Sequence, residues 1–146
     1  MAISQAMCTS FKVGLLNGDF DFGTGTAQTF KVALYTSAAN IDATTTAYTT
    51  SGEVSSSGTN YTAGGQTLTI SAVPTSSGTT AYLDFADVTW TSASITAAGA
   101  LVYLANGTTN PAVAVLSFGG DKTSTAGDFT IQFPSADATN AIIRIA

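Results

Sequence analysis

Five sets of residues in this sequence have types that could do chemistry: Cys8, the pair Asp84 and Asp87, the run Gly119 to Ser124, the carboxylates Asp121 and Asp128, and Trp90 with the tyrosines. No histidine accompanies any of them, because the 146-residue chain has none. That removes the commonest general base, the Ser-His-Asp and Cys-His arrangements, and the usual transition-metal ligand. Cys8 would need a base beside it to act as a nucleophile, and it falls on the apolar side of an expected helix, where a thiol is buried and inert. A glycosidase needs two carboxylates a set distance apart with one pKa raised, and nothing in the sequence marks Asp84 and Asp87 for that role. Asp near a strand start more often serves turn hydrogen bonding.

The run Gly119-Gly120-Asp121-Lys122-Thr123-Ser124 resembles a phosphate loop only in part, since the full glycine-to-lysine spacing and the following helix are missing. Asp121 and Asp128 fall short of the six or more oxygens that calcium takes. Trp90 and the five tyrosines could stack on sugars, but most lie on alternating strand patterns and read as core. No catalytic, cofactor-binding or metal-ligating residue is therefore expected, no cofactor is expected, and the chain is expected not to be an enzyme.

The elements behind these residues follow from composition. Charged residues make up 9% of the chain, against about 25% in an ordinary soluble protein, and Ser and Thr fill roughly 40 positions. Thr is β-branched and suits the pleated surface of a sheet, so strands and turns are expected with little helix. Net charge is -5, with only Lys12, Lys31, Lys122 and Arg144 as cations. Direct nucleic-acid or membrane-surface binding is not expected, because no basic stripe exists. The length and the 45% hydrophobic content suit a single β domain over 1–146, with 1–22 as a helical or extended N-terminal segment. The single cysteine rules out an internal disulfide, and the start shows no signal-peptide pattern, so assembly in a cytoplasm is expected.

Met7, Phe11 and Leu15 recur at helical spacing, with Ser4 as the expected cap and Gly18 as the expected stop. Gly14 weakens that helix, so its apolar face must dock on this domain or on a neighbour. Phe20 and Phe22 lie outside any periodic element, as anchors for the helix or contacts to another chain, and a Gly/Thr turn follows them. Phe30–Tyr35 alternates as a strand with one face in the core. The stretch 37–63 is too poor in periodic apolar residues for a core element.

Thr67–Val73 reads as a strand stopped by Pro74. Tyr82–Trp90 and Ser94–Leu104 read as neighbouring strands, with Ala98 and Gly99 marking a bulge or close approach. Ala112–Phe118 reads as a strand buried on both faces, followed by a polar loop from Gly119 to Asp128. Phe129–Phe133 and Ile142–Ile145 complete about eight short strands, which favours an all-β, jelly-roll-like two-sheet sandwich with one short N-terminal helix.

Several blocks resemble a family of small virion structural proteins of tailed bacteriophages. They are Met1–Lys12 (MAISQAMCTSFK), Phe30–Thr36 (FKVALYT), Tyr61–Gly65 (YTAGG), Asp84–Trp90 (DFADVTW) and Phe118–Pro134 (FGGDKTSTAGDFTIQFP). The likeness spans nearly the whole chain. It implies a capsid cement, or decoration, protein: a homo-oligomeric jelly-roll module on the capsid exterior that binds between major capsid protein subunits and stabilises the head. A phage tail or tail-appendage protein and a glycan-binding β module are the alternatives the composition also allows.

Overall fold

The computed structural model describes residues 2–24 and 28–146, so part of the expected Gly/Thr turn, and Met1, lie outside the described residues. The strands in chain order are β1 (Ala6–Met7), β2 (Phe30–Tyr35), β3 (Gln66–Thr67), β4 (Ile70–Ser77), β5 (Thr80–Phe85), β6 (Val88–Ala93), β7 (Thr96–Leu104), β8 (Ala112–Thr123), β9 (Gly127–Ile131) and β10 (Ile143–Ile145), with one helix, α1 (Thr9–Asn17). The all-β sandwich expectation holds, and eight of the strands are three residues or longer. No helix among the described residues is long and apolar enough to cross a membrane.

One layer is a five-stranded sheet in the order β1-β8-β7-β2-β3. Facing it are a three-stranded sheet, β10-β5-β4, and a two-stranded sheet, β6-β9. β7 lies at the centre of the large sheet and is buried from Ala97 to Leu104, which explains its nearly unbroken apolar sequence. Gly99 takes no side chain because a Cβ there would meet the Leu116 carbonyl and Ile3. The register slips beside it, so the bulge expected at Ala98 and Gly99 is present.

The layers are joined by aromatic rings. Phe22 stacks on Phe30 at 4.3 Å, Phe30 and Phe85 lie 6.3 Å apart, and Phe85 reaches Phe133 at 5.9 Å. Phe11 closes the end of this row, with Phe20 edge-on at 4.8 Å and Phe22 at 6.0 Å. The apolar face of α1 therefore docks on its own domain, and Phe11 is fully buried. Gly14 weakens the helix but gives Phe20 its seat, since a Cβ there would collide with the Phe20 ring.

Several boundaries differ from the sequence expectation. The helix starts at Thr9 rather than after Ser4, because Ile3 bridges Ile41 and β1 pairs with β8, leaving Cys8 extended at the N-cap position. It stops as expected, with Gly18 left-handed at φ 80°. Pro74 does not end its strand: β4 runs to Ser77 as a sheet edge, and the register slips between Ala72 and Thr75, which absorbs the missing N–H. Tyr82–Trp90 is not one strand, because the chain changes sheet at Ala86 and Asp87. There the Ala86 amide donates to the Thr69 carbonyl, and Asp87 Oδ1 accepts from the Phe133 amide at 2.8 Å. β6 consequently pairs with β9 and not with the Ser94–Leu104 strand. The expected polar loop from Gly119 to Asp128 is mostly strand, since Ala97 pairs with Lys122 and Thr96 with Thr123. Phe118, Gly119, Gly120 and Asp121 bulge opposite Ala98 alone, and Gly119 and Gly120 supply the positive φ values the bulge needs.

Candidate functional site

A part-buried polar network centres on Glu53, which was not among the residues singled out from the sequence. Glu53 Oε1 accepts hydrogen bonds from the Tyr61 hydroxyl and the Gly64 amide, each at 2.7 Å, and Oε2 accepts from the Tyr48 hydroxyl at 2.7 Å. The Tyr61 hydroxyl in turn accepts from the Leu34 amide at 2.9 Å, so the network reaches β2. Tyr103 on β7 stacks on Tyr48 at 4.8 Å and donates to the Gly64 carbonyl at 2.7 Å. Tyr35 donates to the Thr49 carbonyl at 2.6 Å. Four of the five tyrosines thus hold the excursion 37–65 against the large sheet, and Ala39, Ile41, Val54 and Tyr61 of that excursion are buried.

Burial raises the pKa of each of these tyrosines. Tyr103 is pushed up to about 12, first by desolvation and then by the Glu53 charge. Tyr48 and Tyr61 are pushed further, by desolvation first and then by their hydrogen bonds to Glu53. All three are neutral donors at physiological pH, Tyr48 and Tyr61 to the Glu53 carboxylate and Tyr103 to the Gly64 carbonyl. The chemistry of this cluster is anchoring. A signal for it existed in the sequence: Glu53 is the one glutamate, and the only charge between Asp42 and Asp84.

Of the residues considered for chemistry, Cys8 is fully buried, and burial followed by the nearby Asp42 charge pushes its thiol up to about 11. It is a weak donor to the Asp42 carbonyl at 4.0 Å and a poor nucleophile. Asp84 and Asp87 do different work. Asp87 ties the start of β6 to Phe133, whereas Asp84 is 1% exposed, accepts from the Phe85 amide through Oδ1 at 2.8 Å, and has no hydrogen-bond partner on Oδ2. Desolvation raises the pKa of Asp84, Asp87 and Asp137 push the same way, and the Phe85 and Ile142 amides pull it back.

Asp121 is exposed on the β8 bulge, and Asp128 Oδ1 accepts from the Ser92 amide at 3.2 Å. No group of three or more carboxylates or thiols among the described residues is placed to hold a metal ion. Trp90 is 2% exposed, tilted against Tyr61 at 5.9 Å and edge-on to Phe129 at 6.3 Å, so it presents no ring face for a sugar to stack on. Its Nε1 is buried without a partner.

Among the described residues, a strongly apolar groove of about 340 Å³ lies between α1 with its following segment and the three-stranded sheet. Phe20 and Phe22, which the sequence left between anchoring the helix and touching another chain, line it and pack on Phe11. The second surface feature is the β4–β5 hairpin, exposed from Val73 to Thr79. Comparison with protein-family models, with curated proteins and with solved structures finds no match to this chain.

Proposed function

We propose that this chain is a bacteriophage structural protein of the capsid cement type, which binds between major capsid protein subunits on the outside of the head. The observation that supports the reading best is the β4–β5 hairpin. Its strand β4 is the edge of the three-stranded sheet, it is exposed from Val73 to Thr79, and no charged residue occurs between Glu53 and Asp84. A freely diffusing protein usually guards such an edge with lysines or other charges. An edge that lacks them suits addition of a partner's strand, with hydroxyls of Thr75, Ser76 and Ser77 filling the rim of the contact. Pro74 and its bulge break the edge into short pieces, which limits pairing between free copies before assembly. The phage assignment itself rests on the resemblance of Met1–Lys12, Phe30–Thr36, Tyr61–Gly65, Asp84–Trp90 and Phe118–Pro134 to virion structural proteins.

The test is binding of the purified chain to capsids that lack it, with Thr75→Asp and Ser77→Asp introduced together on the hairpin edge. Both positions are exposed, so the fold is expected to survive with an unchanged circular dichroism spectrum. Capsid binding is expected to weaken by at least about tenfold, the equivalent of ~1.4 kcal/mol. Unchanged binding would remove the hairpin from the contact. Exclusive binding to tails would favour the tail-protein alternative.

A further inference from the structure

We propose that two copies of this chain pair about a two-fold axis, each placing the outer ridge of α1 in the apolar groove of the other. Four large hydrophobic side chains are exposed among the described residues: Val13 at 55%, Leu16 at 91%, Val73 at 42% and Ile145 at 55%. All four lie on the two elements that flank the groove, α1 and the three-stranded sheet. The groove has Phe22 and Ile143 buried in its floor and Leu15, Phe20, Tyr82 and Ile145 along its sides. Ile145 lines the groove itself and Leu16 follows Leu15, which also lines it, whereas Val13 faces a separate hollow beside Ser10 and Asn17. An exposed apolar side chain beside an apolar groove marks an interaction site.

A second copy is the occupant the chain itself points to. Leu16 is a knob with nothing over it, and Leu15, its neighbour on the helix, lines the hole. Knob and hole side by side on one surface are what a self-complementary two-fold contact requires, since one rotation covers both ridges and fills both grooves. Charge agrees with this pairing. The chain carries -5 overall, so most faces of two copies repel, but Lys12 lies one turn before Leu16 on the exposed side of α1, and Asp21 stands in the groove wall. Pairing therefore brings a cation of one copy toward an acid of the other. It deepens the cement reading without depending on it, since self-association is read on the purified chain and capsid binding on the particle.

Sedimentation velocity of the full chain up to about 200 µM tests the proposal, with Leu16→Glu and Lys12→Glu as variants and Lys122→Glu as a charge-matched control on β8. Leu16 and Lys12 are exposed, so both variants are expected to fold. A concentration-dependent dimer is expected for the wild type, weakened about 10- to 100-fold by Leu16→Glu, in line with the value of burying a leucine. Lys12→Glu is expected to weaken it and Lys122→Glu to leave it unchanged. Mixed Leu16→Cys and Ala81→Cys chains are expected to form a disulfide-linked heterodimer on oxidation. A wild type that stays monomeric throughout, or a dimer indifferent to Leu16→Glu and uncrosslinked by that pair, would overturn the proposal, whatever its affinity for capsids.

Discussion

Replacing Glu53 by alanine removes a carboxylate that accepts from the Tyr48 hydroxyl, the Tyr61 hydroxyl and the Gly64 amide, each at 2.7 Å. A hydrogen bond to a charged group contributes about 1.5–3 kcal/mol, so simple addition gives roughly 4.5–9 kcal/mol. That sum is too large, because Glu53 is only half-buried, water reaches the vacated site, and contacts within one network do not add. Taking about half the lower-middle of the range, the expected loss is ~3 kcal/mol, a large part of the ~5–15 kcal/mol that stabilises a typical domain. Glu53→Gln keeps an oxygen for Tyr61 and Gly64 and turns an amide toward Tyr48, whose hydroxyl can accept, so its expected cost is ~1 kcal/mol. Urea unfolding followed by circular dichroism reads both values from the shift in midpoint at constant slope. If both variants unfold within about 0.5 kcal/mol of the wild type, the tyrosine cluster does not anchor the excursion 37–65, and the reasoning fails.

Asp84 gives a pH dependence of known sign. A carboxyl whose folded pKa is raised contributes stability that is present below its unfolded value and lost as pH rises through the folded one, so the wild type is expected to gain stability from this group on mild acidification. Asp84→Asn, which keeps the acceptor for the Phe85 amide, is expected to lack that gain and to be more stable than wild type near neutral pH by ~1 kcal/mol, measured as thermal midpoints across pH; an equal pH dependence in both proteins would count against a carboxyl whose charged form is disfavoured by burial. Gly65→Ala is expected to destabilise by more than ~2 kcal/mol, because Gly65 sits at φ +75° with its Cβ position against the Val32 carbonyl; chemical denaturation measures it, and a near-neutral effect would contradict that close approach. Deleting residues 1–18 is expected to unfold the chain rather than leave a folded, assembly-defective domain, since Phe11 is fully buried among Phe20 and Phe22; a folded truncation would show instead that α1 belongs to an interface.

Local pattern was a good guide where local pattern decides the structure. Phe30–Tyr35 emerged as β2 with its expected bounds, although Ala33 and Tyr35 are buried along with Phe30, Val32 and Leu34, so both faces are covered rather than the one expected, and Gly18 ended α1 because a left-handed residue is needed there. Elements shaped by distant partners were less legible. Tyr82–Trp90 looks continuous, yet it divides because Asp87 is held by Phe133 and Ala86 by Thr69, both supplied from elsewhere in the chain. Gly119 and Gly120 carry turn chemistry, but the turn is spent inside a bulge and the strand continues beyond it. Glu53 was hidden for the same reason: one of its tyrosines lies five residues away and another eight, but the sheet they fasten to is formed by residues around Leu34 and Tyr103. Within the candidate chemistry, the absence of histidine was plain from the residue types, whereas the burial of Asp84 and Trp90 depended on packing that no local spacing displays.

The most direct test of the central claim, that this chain is a cement protein on a phage head, is its copy number in purified virions by quantitative mass spectrometry against the major capsid protein. Hundreds of copies per particle, lost together with head stability when the chain is deleted, are the expected result. A few copies per particle, remaining with isolated tails, would contradict the claim.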